Sequence, residues 1–103
     1  MIELWEILVP TTNNAGKPYR VRYHRVWDAK VREITGGLTV MPVANGQWTA
    51  PDGTVYRERM IPVRIACTES QIRAIMQLTL EYYDQEAVMV FHLSNRTLTL
   101  RRG

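Results

Sequence analysis

From Ile61 to Cys67 the side chains alternate, with Ile61, Val63, Ile65 and Cys67 on one side and Pro62, Arg64 and Ala66 on the other. A period of two fits a strand with one face on a core, and at Thr68 the period changes. Thr68 and Gln71, three residues apart, form a capping-box pair. Ile72, Ile75, Met76, Thr79 and Tyr83 then recur at helical spacing, which predicts a helix of about four turns. Asp84-Gln85-Glu86 closes it. Ala87 to Leu93 is apolar on both alternations, which predicts a central strand or one whose open face another subunit covers.

The rest of the chain supplies elements that flank this strand, helix and strand. Ile2 to Val9 predicts a first strand with Trp5, Ile7 and Val9 on one face and Leu4, Glu6 and Leu8 on the other. Thr11 to Pro18 is a polar loop rich in turn formers. It contains Gly16-Lys17 but lacks the glycine and hydroxyl spacing of a phosphate-binding loop. From Tyr19 to Ile34, Tyr23, Val26, Trp27, Lys30, Val31 and Ile34 share one helical face, and Gly36-Gly37 supplies the stop. Leu38 to Met41 is a short strand. Pro42 to Gly53 passes through Asn45-Gly46 and Pro51-Asp52-Gly53, both turn signals, before Thr54 to Glu58 resumes an extended path. Thr97 to Leu100 alternates like a closing edge strand.

This order predicts an α+β fold, the ferredoxin-like βαββαβ sandwich: an antiparallel sheet with two helices on one face. A long hairpin excursion separates strands two and three, and an extra C-terminal edge strand follows the last. With 103 residues, 46% of them hydrophobic, the chain fits one such domain, large enough for a core without metal or disulfide support. The first and third strands are neighbours in this layout, which pairs Glu6 with Arg64 on the face away from the helices. Leu4, Leu8 and part of the Val88–Phe91 segment share that face. We therefore expect a homo-oligomer, a dimer or trimer, to cover it.

Composition narrows the chemistry. The formal charge of +3 permits an anionic partner without requiring one. Cys67 is the lone cysteine, and its place in an apolar alternation fits an inert buried thiol rather than a nucleophile or a redox pair. No run is long and apolar enough to span a bilayer and no leader pattern opens the chain, so we expect a soluble, cytoplasmic protein with no membrane partner. His24 and His92 fall outside any metal-ligand spacing, and we expect neither metal nor cofactor. Tyr19, Arg20, Arg22, Tyr23, His24, Arg25, Lys30 and Arg32 interleave aromatic and basic residues as an RNA-binding helix does. A solvated basic face beside an aromatic core stripe explains the same pattern, and we expect no nucleic-acid partner. Glu81, Asp84 and Glu86 cluster at a helix C-terminus, where negative charge is unfavourable. Tyr56 and Glu58, two residues apart on an extended segment, point the same way near Trp48 and together suit a cation.

The order of motifs resembles that of the phage-encoded S-adenosylmethionine lyases, formerly described as hydrolases. The matching pieces are Ile7-Leu8-Val9, Arg22 to Ile34, Gly37-Leu38, Tyr56-Arg57-Glu58, Val63-Arg64-Ile65-Ala66-Cys67 and Asp84-Gln85-Glu86-Ala87-Val88. Gly37 to Val40, Gly46-Gln47-Trp48, Pro51-Asp52-Gly53 and Arg57-Glu58 are also similar to an uncharacterised family of small bacterial ferredoxin-like proteins. The lyase resemblance implies cleavage of S-adenosylmethionine to methylthioadenosine and homoserine lactone at a subunit interface. It implies Tyr56 and Glu58 as catalytic residues and Trp48, Glu69 and Arg64 as substrate-binding residues. The lyases carry an acidic residue in the approach to the third strand. Here only Arg59-Met60 separates Glu58 from Ile61, so the grip on the substrate ammonium falls to Glu58 or Glu69. A competing class is a non-enzymatic oligomeric module that holds a nucleotide, peptide or protein at its interface, and RNA binding through the basic helix is a third.

Overall fold

The computed structural model describes residues 1–103. Its elements in chain order are β1 (Glu3–Pro10), α1 (Val21–Thr35), β2 (Thr39–Val40), β3 (Ala44–Thr49), β4 (Val55–Cys67), α2 (Glu69–Tyr82) and β5 (Val90–Ser94). The strands form one antiparallel sheet in the order β2-β4-β1-β5, with β3 also paired to β4. Both helices cover one face, giving the α+β ferredoxin-like arrangement that the element order predicts.

Alternation decides which sheet residues meet the helices. Trp5, Ile7 and Val9 of β1 lie beside Val63, Ile65 and Cys67 of β4, and onto them pack Trp27 and Val31 of α1 with Ile72 and Ile75 of α2. Tyr83 closes this core just past α2. Thr68 caps α2 as its sequence requires: its hydroxyl accepts from the Gln71 N–H at 3.1 Å, and the Gln71 side chain accepts from the Thr68 N–H at 2.9 Å. Such a cap contributes about 0.5–2 kcal/mol. Gly36 ends α1 in the left-handed conformation at φ 87° and donates its N–H to the Arg32 carbonyl, where a side chain would strain the backbone. The helix begins at Val21 rather than Tyr19: Arg20, its N-cap, is extended at ψ 150°, and the Tyr19 N–H before it bonds the Thr11 carbonyl at 3.0 Å.

The strand of thirteen residues, β4, is two segments in one. Its second half is central, flanked by β1 and β2, while its first half leaves the sheet with β3 as a two-stranded arm. The arm helps draw the molecule out to 54 × 29 × 23 Å. Asn45-Gly46, a turn signal by composition, lies within β3 opposite Arg59 and Glu58. Pro51-Asp52-Gly53 makes the actual turn: the Asp52 carboxylate accepts from the Thr54 N–H at 2.9 Å and Gly53 sits at φ 89°. Pro62, which has no N–H, stands in β4 where the neighbouring edge changes from β2 to β3, so no ladder bond is missed there.

Two expectations are corrected. Of the two alternatives for Ala87–Leu93, the central strand is not the one adopted: β5 spans Val90–Ser94 at the sheet edge, with Met89, Phe91 and Leu93 exposed on the face that a second subunit would cover. The extra C-terminal strand does not form within the chain. Ser94 accepts from the Arg96 N–H to turn the backbone, and Leu98 and Leu100 are 82% and 99% exposed. Alternation alone cannot hold a strand that has neither a ladder partner nor a surface to bury its leucines.

Candidate functional site

Trp48 of β3 and Tyr56 of β4 are cross-strand partners on the arm, and register puts their side chains on one face. Their rings stack at 4.7 Å between centroids with 18° between planes. The pair is 49% and 45% exposed, so its outer surface stays open to a ligand. Glu58 follows Tyr56 by two residues on the same alternation and faces Gly46, which has no side chain to cover it. A π-face beside a carboxylate attracts a cation from two directions. The cation–π part is worth about 0.5–2 kcal/mol.

The other residues that the sequence singles out lie elsewhere in a single chain. Arg64 is eight residues along β4 from Tyr56, roughly 26 Å at strand rise. It pairs with Glu6, Nε to Oε1 at 3.1 Å, on the face away from the helices, as the strand order requires. Glu69 opens α2 beyond the far end of β4, more than roughly 36 Å from Tyr56 along the chain. Its carboxylate accepts from Arg73 at 3.2 Å. The structure therefore joins Trp48, Tyr56 and Glu58 and leaves Arg64 and Glu69 apart from them.

Where the arm leaves the sheet, a polar cleft of about 330 Å³ is lined by Thr12, Asn13, Arg57, Glu58, Arg59 and Gln85 among others. The loop before α1 builds its wall. Thr11 donates to the Arg59 carbonyl at 3.0 Å and Asn14 to the Asp84 carbonyl at 2.9 Å, tying the loop to the arm and to the end of α2. Asp84 takes a positive φ of 50° there. Asn14 and Asp84 stand seventy positions apart, and no local pattern in the sequence announces their meeting.

On α1 and just before it the aromatic residues turn inward. Tyr19 stacks on Tyr23 at 4.9 Å, Tyr23 stacks on Tyr82 at 4.3 Å, and the Tyr19 hydroxyl donates to the Tyr83 carbonyl. The aromatic part of the interleaved pattern is thus packing, and Arg20, Arg22 and Arg25 remain on an exposed outer face. His92 meets Glu3 at 2.5 Å and packs on Trp5, while His24 faces the Tyr83 hydroxyl. No three His, Cys, Asp or Glu side chains gather as a metal-ligand set, and no helix is long and apolar enough to cross a membrane.

No protein family matches the chain at the sequence level, and no curated protein does either. Solved structures match its fold. A phage S-adenosylmethionine lyase in complex with S-methyl-5'-thioadenosine superposes with a TM-score of 0.66 at 17% identity, over 86% of this chain and 78% of that one. The divalent cation tolerance protein CutA1 from Thermus thermophilus gives 0.66 at 11% identity, over 94% and 88%. CutA1 from Oryza sativa gives 0.66 at 12%, over 96% and 84%. At these identities the likeness is one of fold, shared equally by the lyase that the motif order resembles and by the cation tolerance proteins.

Proposed function

We propose that the chain is an S-adenosylmethionine lyase of the phage type, working as a homo-oligomer with its site on the arm. The observation that carries this reading is the open Trp48–Tyr56 stack beside Glu58. In the reaction, a carboxylate oxygen of the substrate attacks its own γ-carbon and the carbon–sulfur bond breaks with its electron pair going to sulfur. Methylthioadenosine leaves as a neutral thioether and homoserine lactone remains. The protein supplies no nucleophile, metal or general base, so orientation and exclusion of water are its tasks. Trp48 faces the sulfonium or the adenine, Tyr56 contacts the substrate near the reacting centre, and Glu58 holds the α-ammonium.

One chain leaves this patch open to water, and a second copy is the natural cover. The face bearing the half-buried Leu4 and Leu8 has no helix over it, and Met89, just before β5, and Phe91, within it, are 59% and 42% exposed. Arg64 and Glu69 reach Tyr56 only from another subunit, so their substrate-binding role belongs to the assembly, a dimer or trimer. The buried free thiol of Cys67 suits a reducing compartment, the cytoplasm, or the host's if the chain is phage-encoded.

The test is purified protein with S-adenosylmethionine and no added metal, followed by liquid chromatography. Methylthioadenosine and homoserine lactone should form, the lactone before any homoserine. Tyr56→Phe should slow turnover and leave the oligomer intact. The second reading, an oligomeric binding module without turnover, is favoured by the exposure of the patch. It stands if S-adenosylmethionine survives at high protein concentration. Binding that collapses steeply with salt would instead favour phosphate contacts by the α1 arginines.

A further inference from the structure

On the helix-covered side of the sheet, away from the arm aromatics, an apolar cleft of about 340 Å³ lies between α1 and the β2 edge. Val9, Val63 and Trp27, each 1% exposed, line its inner part, and Val40, 52% exposed, forms its lip. Its polar lining comes from His24, Arg25 and Asp28 of α1 and from the hydroxyl end of Tyr83. The Tyr83 hydroxyl and His24 Nδ1 are 2.6 Å apart. Burial pushes the Tyr83 pKa up, so the phenol keeps its proton. With His24 as its one partner in the chain, it donates to Nδ1, which places the imidazole hydrogen on Nε2. That N–H makes no bond within the protein.

Asp28 follows one turn along the helix, on the same side as His24. It is partly buried, yet its carboxylate makes no hydrogen bond and no ion pair. Its oxygens reach solvent through the cleft, since no fully buried polar atom lacks a partner. Desolvation raises its pKa and lowers that of His24, as befits groups withdrawn from water. The strand residues that line the cleft, Val9, Val40, Ile61 and Val63, carry no charge. The nearby cations, Arg25 and Arg32, sit on α1 itself and are exposed, where water and salt screen them.

We propose that this cleft is a ligand site distinct from the arm, for a small organic amine with an apolar body. The ammonium sits on the Asp28 carboxylate, the hydrocarbon fills the space over Val9, Val40 and Val63, and His24 Nε2 offers a donor to any acceptor on the ligand. A carboxylate ligand meets repulsion from the partly buried Asp28, while attraction to Arg25, the exposed cation in the lining, is screened by water. A neutral hydrocarbon withdraws Asp28 further from water without pairing it, and that is costly. An ammonium alone both fills the cleft and supplies the missing partner.

The test uses phenethylamine and its neutral counterpart 2-phenylethanol as probes, titrated into the full chain and followed by amide chemical shifts. Phenethylamine should move the signals of His24, Asp28, Val40 and Val63 and saturate, with the alcohol binding about tenfold more weakly or less. Asp28→Asn should reduce amine affinity by a similar factor while keeping or raising Tm, because it removes an unpaired charge. A residue with a purely structural role would lower Tm on removal. Val40→Trp, at an exposed lip, should block both probes with the fold unchanged by circular dichroism, and it decides the matter should Asp28→Asn fail to fold. Equal affinity for the two probes, amine binding undiminished in Asp28→Asn or Val40→Trp, or no saturable shift at millimolar amine would each overturn the proposal. None of these outcomes touches Trp48, Tyr56 or Glu58, so the arm reading stands or falls separately.

Discussion

Thr79→Val removes a hydroxyl that makes two buried hydrogen bonds, only one of which leaves its partner orphaned. The Trp27 indole N–H donates to the Thr79 hydroxyl at 3.0 Å, and that hydroxyl donates to the Ile75 carbonyl at 2.6 Å. Trp27 is 1% exposed and Thr79 is 0% exposed, so water cannot replace a lost partner. Valine nearly matches threonine in shape, and the change opens no cavity and removes no apolar contact. The Ile75 carbonyl keeps its helical backbone partner. What remains is an indole N–H with no acceptor, which costs about 1–3 kcal/mol. In a domain of this size that lowers Tm by about 4–20 °C. Urea unfolding followed by tryptophan fluorescence, at fixed protein concentration because association shifts apparent stability, measures it directly. Adding Trp27→Phe removes the orphaned donor, so the double variant should be more stable than the two single losses imply. A Thr79→Val protein within about 0.5 kcal/mol of the parent would refute the reasoning, because that is the range of a surface change.

Three further outcomes concern other groups. Burial lowers the His24 pKa below its ordinary 6.5, so the unfolded chain binds the proton more readily. Stability is then complete above that value and declines as the pH falls below it, and His24→Gln should flatten this part of a Tm-against-pH profile. Cys67 is 0% exposed with its thiol pushed up to about 11 by burial. Iodoacetamide at mildly alkaline pH should leave it unmodified in native protein and label it fully in urea, as mass spectrometry will read; rapid native labelling would contradict this. Leu8→Lys places a charge on the uncovered sheet face, and light scattering should show the assembly dissociating. A parent protein that scatters as a 12.0 kDa species at micromolar concentration would remove the oligomer from the proposal.

The parts of the fold legible in the sequence are those set by local chemistry. The alternation of Ile61, Val63, Ile65 and Cys67 is enough to orient β4, and Thr68 with Gln71 is enough to start α2. Given the strand order, Glu6 opposite Arg64 follows from register alone. Of the candidate site, the Tyr56–Glu58 spacing is visible, and Trp48 stands out as an aromatic among turn formers. Asn45-Gly46 misleads as a turn because a longer hairpin already has its turn at Pro51-Asp52-Gly53, and cross-strand pairing outweighs the local preference. Thr97 to Leu100 misleads for the opposite reason, since its pattern is sound and its partner is missing.

Element types, the face each element presents and the residues at the caps all depend on neighbours a few positions away, and so they can be read from the linear chain. The Trp48–Tyr56 stack cannot, because it needs the register between β3 and β4. The same holds for the reach of Asn14 to Asp84 and for the meeting of His24 with Tyr83 at the rim of an apolar cleft. These contacts join residues far apart in the chain, and their existence rests on how whole elements pack rather than on any spacing a linear pattern can record.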